Sequence, residues 1–210
     1  MAILKAGVNG PFSGKVGSIV GYELNGQTII RSLPAIVKRP PSKLTIINRM
    51  RVKVVSQFLK YIKKPIAFGY KNIAPKGSRV GTFQLAQSYL LTNAIDYDAE
   101  SMPYVNPEKV VVFRGDITPP LLINVERKEG MLHVEWNTDA ANGGRAVVVI
   151  LAYVIEGFSA LNEGGAISTA GKVVWDHSLF SSINEQVHIY VGFYDMLHDT
   201  FSDSVYGGCV

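Results

Sequence analysis

Leu121-Leu-Ile-Asn-Val125, Leu132-His-Val-Glu-Trp136, Ala146-Val-Val-Val-Ile-Leu-Ala-Tyr-Val154, Gly171-Lys-Val-Val-Trp175, Val187-His-Ile-Tyr-Val-Gly-Phe193 and Ser202-Asp-Ser-Val-Tyr206 are short β-prone runs punctuated by Gly, Asn and Asp. Their even spacing predicts an all-β sandwich or barrel over residues 116–210. The Pro-rich stretch from Asp116 to Pro120 marks where it opens.

Upstream the pattern changes. Lys109-Val-Val-Val-Phe113 reads as one more strand, belonging to the first part of the chain. Before it lies an acidic linker, Asp96-Tyr-Asp-Ala-Glu100, where Pro103 and Pro107 argue against a continuing helix. A helix is predicted from Thr82 to about Ile95, with Phe83, Leu85, Ala86, Tyr89, Leu90 and Ala94 on its apolar side. A longer one follows Ser42, a good N-cap residue, and is stopped by Pro65. Leu44, Ile47, Met50, Val54, Phe58 and Ile62 give it an apolar face at helical spacing. Asn25-Gly26 between two β-prone runs predicts a hairpin, because both turn residues need positive φ. Pairing outward from that turn sets Leu24 opposite Gln27, Tyr22 opposite Ile29 and Val20 opposite Arg31. Gly17 and Gly21 then flank Ile19 on one face, where another backbone has room to approach. The fold class is therefore α+β. An N-terminal β-hairpin and a two-helix basic part make a domain of residues 1–115, and the sandwich fills 116–210.

Charge divides the chain at nearly the same place. Residues 1–95 carry fifteen Lys and Arg and one acid, Glu23, for a net +14, whereas residues 96–210 carry six and sixteen, for a net −10. Such asymmetry points to an anionic partner for the first half, or to contact between opposite ends of neighbouring copies. A basic face folded onto the acidic face of the same molecule is the third possibility. Lys38, Arg39, Arg49, Lys53, Lys60, Lys63 and Lys64 concentrate the positive charge, and Tyr61, Phe68 and Tyr70 are interleaved as candidate base-stacking rings.

Two resemblances bear on the fold. Trp136 ending the second β-run, Tyr153 in the third, and the run 187–193 before a final Ser-x-Ser-Val-Tyr strand resemble a fibronectin type III domain over about 90 residues. The resemblance implies a sandwich with a binding or spacer role and no chemistry. The opening Asn9-Gly-Pro-Phe-Ser-Gly-Lys-Val-Gly-Ser18, with a hairpin closing on Ile30-Arg-Ser-Leu-Pro34, is similar to that of a family of uncharacterised bacterial proteins. That family implies no mechanism.

The residues that could carry chemistry are few. Gly10-Pro-Phe-Ser-Gly14-Lys15 departs from a phosphate-binding loop: three residues separate the glycines, Val16 follows the lysine, and Pro11 removes an amide donor. His133, His177, His188 and His198 lack zinc-site spacing. Asp195, His198 and Asp199 cluster, and such a grouping reads first as a solvated polar loop. There is no Gly-x-Ser-x-Gly elbow, and the one cysteine, Cys209, reads as an inert terminal thiol with no possible intramolecular disulfide. No catalysis, cofactor or metal is expected. No run approaches the roughly 18 apolar residues of a membrane span, and the start makes a poor secretory signal. Synthesis and folding in the cytoplasm are expected, with a place in a virion or a released particle left open.

The leading expectation is a non-catalytic subunit that self-associates into a higher-order assembly, phage-like or cell-associated. Its contacts would involve Gly17, Gly21 and Arg31 of the hairpin. Cations such as Arg49, Lys53, Lys60, Lys63 and Lys64 would face acids such as Glu126, Glu129, Asp139, Glu156 or Glu163 of a neighbour. One alternative is nucleic-acid binding by the same basic residues with Lys38, Arg39 and Tyr70. Another is a sugar or protein binder built on the sandwich.

Overall fold

The computed structural model describes residues 2–4, 10–24, 26–35, 40–74, 80–138, 144–182 and 185–210. The chain begins with four antiparallel strands in sequential order: β1 (Ala2–Leu4), β2 (Phe12–Val16), β3 (Ile19–Leu24) and β4 (Gln27–Ser32). The β3–β4 register is the one the Asn-Gly turn predicts, Leu24 with Gln27, Tyr22 with Ile29 and Val20 with Arg31. The stretch before it is not one strand. The chain reverses at Gly17, whose φ of +55° suits glycine, so Gly17 sits in a turn rather than on a strand face. Gly21 does admit a close neighbour, but from its own sheet: a Cβ there would lie 2.5 Å from the Phe12 carbonyl oxygen.

Ser42 caps α1 (Lys43–Tyr61), its Oγ accepting from the Thr45 amide at 3.2 Å. Pro65 does not end the helical stretch. It lies in the first turn of α2 (Lys63–Gly69), where its missing N–H costs no hydrogen bond, and the break falls at Ile62. With α3 (Thr82–Asn93) the basic part holds three helices rather than two. The apolar stripe of α1 divides. Val55, Phe58, Leu59 and Ile62 are buried, whereas Leu44, Ile47 and Met50 are exposed. Among the described residues only the second half of the helix has a core to pack on.

The acidic linker is itself a small hairpin of β5 (Ile95–Tyr97) and β6 (Pro103–Val105). Residues 109–113 form no strand. Val110, Val112 and Phe113 are buried as irregular backbone, and their polar groups are met locally. The Val112 amide donates to Ser204 Oγ at 2.8 Å, and the Phe113 carbonyl accepts from the Ser204 amide at 2.9 Å.

The rest is β7 (Leu121–Lys128), β8 (Met131–Asn137), β9 (Ala146–Tyr153), β10 (Ser159–Asn162), β11 (Lys172–Asp176), a short helix α4 (Ser178–Ser182), β12 (His188–Asp195), β13 (Thr200–Phe201) and β14 (Val205–Cys209). They make a three-stranded sheet, β11-β8-β7, and a five-stranded sheet, β10-β9-β12, with β13 and β14 both pairing β12. Leu132, Val134, Trp136, Val173 and Trp175 of the smaller sheet pack with Val148, Ile150, Val191 and Phe193 of the larger one.

The larger sheet is covered on both faces. Alternate residues of β9, Val149, Leu151 and Tyr153, join Tyr190 and Phe201 in a second core with α1, α2, α3 and the buried 105–113 stretch. The unbroken apolar run of β9 has this cause, since a strand between two cores has no solvent face. Tyr153 therefore does not share the core of Trp136: its ring meets Phe58 edge-on at 5.0 Å, and its hydroxyl donates to the Phe58 carbonyl at 3.3 Å. The boundary expected at residue 115 runs through this packing. Gly115 lies against β13 so closely that a Cβ would stand 2.1 Å from the Phe201 carbonyl oxygen.

One pH response follows. His188 stacks at a tilt beside Tyr206, with Nδ1 2.8 Å from its hydroxyl, and burial holds the imidazole below its ordinary 6.5. A lowered folded-state value means that the unfolded chain takes up the proton first. Stability is then full above the unfolded value and falls as pH drops through it. The midpoint of thermal unfolding should decrease between about pH 7 and pH 5, and His188→Gln should flatten that slope. An unchanged slope in the variant would assign the response to another group.

Candidate functional site

Arg49, Lys53 and Lys60 project from the exposed side of α1, and Lys63 and Lys64 from the first turn of α2. No ion pair between described residues reaches any of the five. Lysine ion pairs among the described residues lie elsewhere: Lys71 with Asp199, Lys109 with Asp96, and Lys128 with Glu126 of its own strand. Arg51 is the cation of α1 that turns inward, its Nη2 donating to the Leu91 carbonyl at 2.6 Å. With the Gln87 side chain donating to Ser56 Oγ at 2.8 Å, it fixes α3 antiparallel to α1.

That pairing opens a groove of about 700 Å³, walled by Lys53, Lys60 and Lys63 on one side and by the start of α3, Thr82 to Gln84, on the other. Phe83 lines it, half-buried. No acid borders it. The N-cap, Gly81, has no side chain of its own to cap the α3 amides, so the positive end of that helix adds to the lysine field. The groove was hidden from sequence reasoning because it exists only once α1 and α3 pair. Gly81-Thr82 as a helix start was its one legible trace.

The expected aromatic interleaving is largely structural. Tyr70 is fully buried and donates to the Val111 carbonyl at 2.8 Å, so it cannot stack on a base, and burial pushes its hydroxyl above its usual range. Phe68 packs edge-on against Tyr194 and Phe201 under the Lys71 ammonium. Tyr61 is half-buried with the Lys60 ammonium 5.4 Å from its ring centre. Arg31 lies over Tyr22 on the N-terminal sheet, while Lys38, Arg39 and Asp139 fall outside the described residues.

Asp195, His198 and Asp199 do not converge on one point. Asp195 accepts from the Leu197 and His198 amides and pairs with His198 Nδ1 at 2.8 Å. Asp199 is engaged by Lys71 and by the Tyr194 hydroxyl, the latter at 2.6 Å, and Lys71 holds its carboxyl below the ordinary value. Among the described residues no group of three or more His, Cys, Asp or Glu is placed to hold a metal ion. Phe12 to Lys15 lie in strand β2, extended rather than wrapped as a phosphate cradle. Cys209 is exposed at the end of β14, and desolvation raises its thiol, which stays protonated at neutral pH. No helix among the described residues is long and apolar enough to cross a membrane.

None of the curated proteins and none of the solved structures matches this chain. A family model does match, over residues 11–208: the chain belongs to DUF6266, a family of unknown function.

Proposed function

We propose that the protein is a non-catalytic structural subunit that self-associates into a higher-order assembly, of a phage-like or cell-associated kind. The observation that carries this reading is the N-terminal sheet. None of its described side chains belongs to either core. By register, Val16, Ile19 and Ile30 share one of its faces, and all three are exposed. A small sheet needs a covered apolar face to be stable, and a second copy supplies one of matching size and character. Among the described residues no strand lies beyond β4, which carries a single charge, Arg31, and so suits strand addition. The three-on-five arrangement of the facing sheets, with β7, β8 and β11 opposite β9, β12 and β14, favours a fibronectin-type-III-like sandwich acting as a rigid spacer.

Sedimentation of the full chain tests the reading. Ile19→Lys with Ile30→Lys should shift the protein to smaller species while leaving its thermal midpoint within a few degrees, because neither side chain supports a core. A wild-type chain that is monomeric at every concentration and salt would refute the proposal. A second reading, binding of nucleic acid, is favoured by Arg49, Lys53, Lys60, Lys63 and Lys64, which no described acid pairs. It predicts affinity for a single-stranded oligonucleotide that falls steeply with the logarithm of salt concentration, with no change in self-association.

A further inference from the structure

The groove between α1 and α3 has a neighbour of opposite charge. The hairpin of β5 and β6 ends in a tight turn at 98–101, where Asp98 Oδ1 accepts from the Glu100 amide at 3.0 Å and the Met102 amide at 2.8 Å. Ser101 is held there at a φ of +62°. The turn presents the carboxylates of Asp98 and Glu100 beside exposed Tyr97, Met102 and Tyr104. It is an acidic knob with an apolar flank. The groove is the reverse, three lysines around a half-buried aromatic ring. The two adjoin on α1: Gln57 borders the groove, and also the hollow whose far wall holds Pro103 and Tyr104.

We infer that the lysine groove receives the 97–102 turn of a second copy of this chain, reciprocally, about a two-fold axis. The inference rests on the self-association reading and names one of its contacts. A patch with positive and negative halves side by side is self-complementary, because a two-fold rotation lays each half on the other's opposite and both contacts close together. The same juxtaposition disfavours a polyanion, to which only the lysine half of the patch is complementary. With the N-terminal sheet, the groove gives the subunit two separate contact surfaces, as a subunit of an extended assembly requires.

Charge exchange in the full-length protein tests it. Lys60 and Glu100 are exposed, so reversal of either leaves the fold intact, which circular dichroism checks. Lys60→Glu and Glu100→Lys should each raise the dissociation constant of self-association at least about tenfold, and the double variant should recover most of that loss. Wild-type self-association that neither single variant alters would overturn the groove contact and leave the assembly reading standing. Loss in the single variants without recovery in the double would overturn the Lys60–Glu100 pairing. Oligonucleotide binding abolished by Lys60→Glu, with self-association unchanged, would assign the groove to nucleic acid. A wild-type chain that never self-associates would overturn both readings.

Discussion

A fragment of residues 116–210 is expected to show no cooperative unfolding transition and to bind a hydrophobic dye. Removing residues 1–115 uncovers the outer face of the five-stranded sheet. Val149, Leu151, Tyr153, Tyr190 and Phe201, all essentially inaccessible in the whole chain, would then meet water. At about 1.5–3 kcal/mol for each large apolar side chain, the five together amount to about 7–15 kcal/mol. That equals the whole net stability of an ordinary domain, about 5–15 kcal/mol. Polar ties are lost as well. Tyr190 donates to the Pro107 carbonyl at 3.0 Å, Ser159 Oγ to the Tyr61 carbonyl at 2.8 Å, and Ser204 loses both of its links to Val112 and Phe113. A fragment of residues 40–210 should behave oppositely, because none of the described side chains it drops belongs to either core. Thermal melts of the two fragments beside the whole chain settle the matter. A sharp transition in 116–210 would mean that the β-rich part stands as its own domain.

The strands at 121–125, 132–136, 146–154, 171–175 and 187–193 were legible because their signal is local, whereas the short β5, β6 and β10 carry too few residues to show one. Alternation in Leu132-His-Val-Glu-Trp136 puts Leu132, Val134 and Trp136 inward, as found. The mixture of helix and sheet was equally plain from the change of hydrophobic period along the chain. What was not legible is which surfaces meet. The apolar run of β9 signals two covered faces, yet nothing in it says that helices form the second cover. The α1 stripe from Leu44 to Ile62 is continuous in sequence, but among the described residues only the part from Val54 onward joins the core. Periodicity reports that a face is apolar, not that a partner is present. Residues 109–113 misled for a related reason: β-branched residues suit any buried extended backbone, and here Ser204 and the 105–113 packing take the place of a ladder partner.

The candidate site divides in the same way. Lysines on α1 and α2 were readable as a basic cluster, because solvated charges on a helix need no tertiary knowledge. Tyr70 was not readable, since a tyrosine with an apolar body and a polar tip serves equally as a stacking ring or as a buried pin. The Val111 carbonyl decides for the pin. Gly21 is similar: the room its missing Cβ leaves was correctly inferred, but Phe12 of the adjoining strand takes it.

Trp136→Ala is expected to destabilise the whole chain by about 3–5 kcal/mol. Trp136 is 5% exposed and packs edge-on against Phe193, with ring centres 6.4 Å apart, inside the core between the two sheets. Its indole Nε1 donates to the Ser168 carbonyl at 2.7 Å, tying β8 to the 3-10 turn that precedes β11. Truncation therefore removes apolar contact on both sheets and strands a buried acceptor at once. The surroundings are poorly able to collapse into the space, because the larger sheet is braced from behind by the helical core. Trp136→Phe separates the two contributions. It keeps most of the ring contact and loses the hydrogen bond, at about 1–3 kcal/mol for the unsatisfied carbonyl. Denaturant titrations of the two variants should order as Ala below Phe below wild type, with similar slopes. An alanine variant within about 1 kcal/mol of wild type would show that the two sheets do not enclose a common core around this residue.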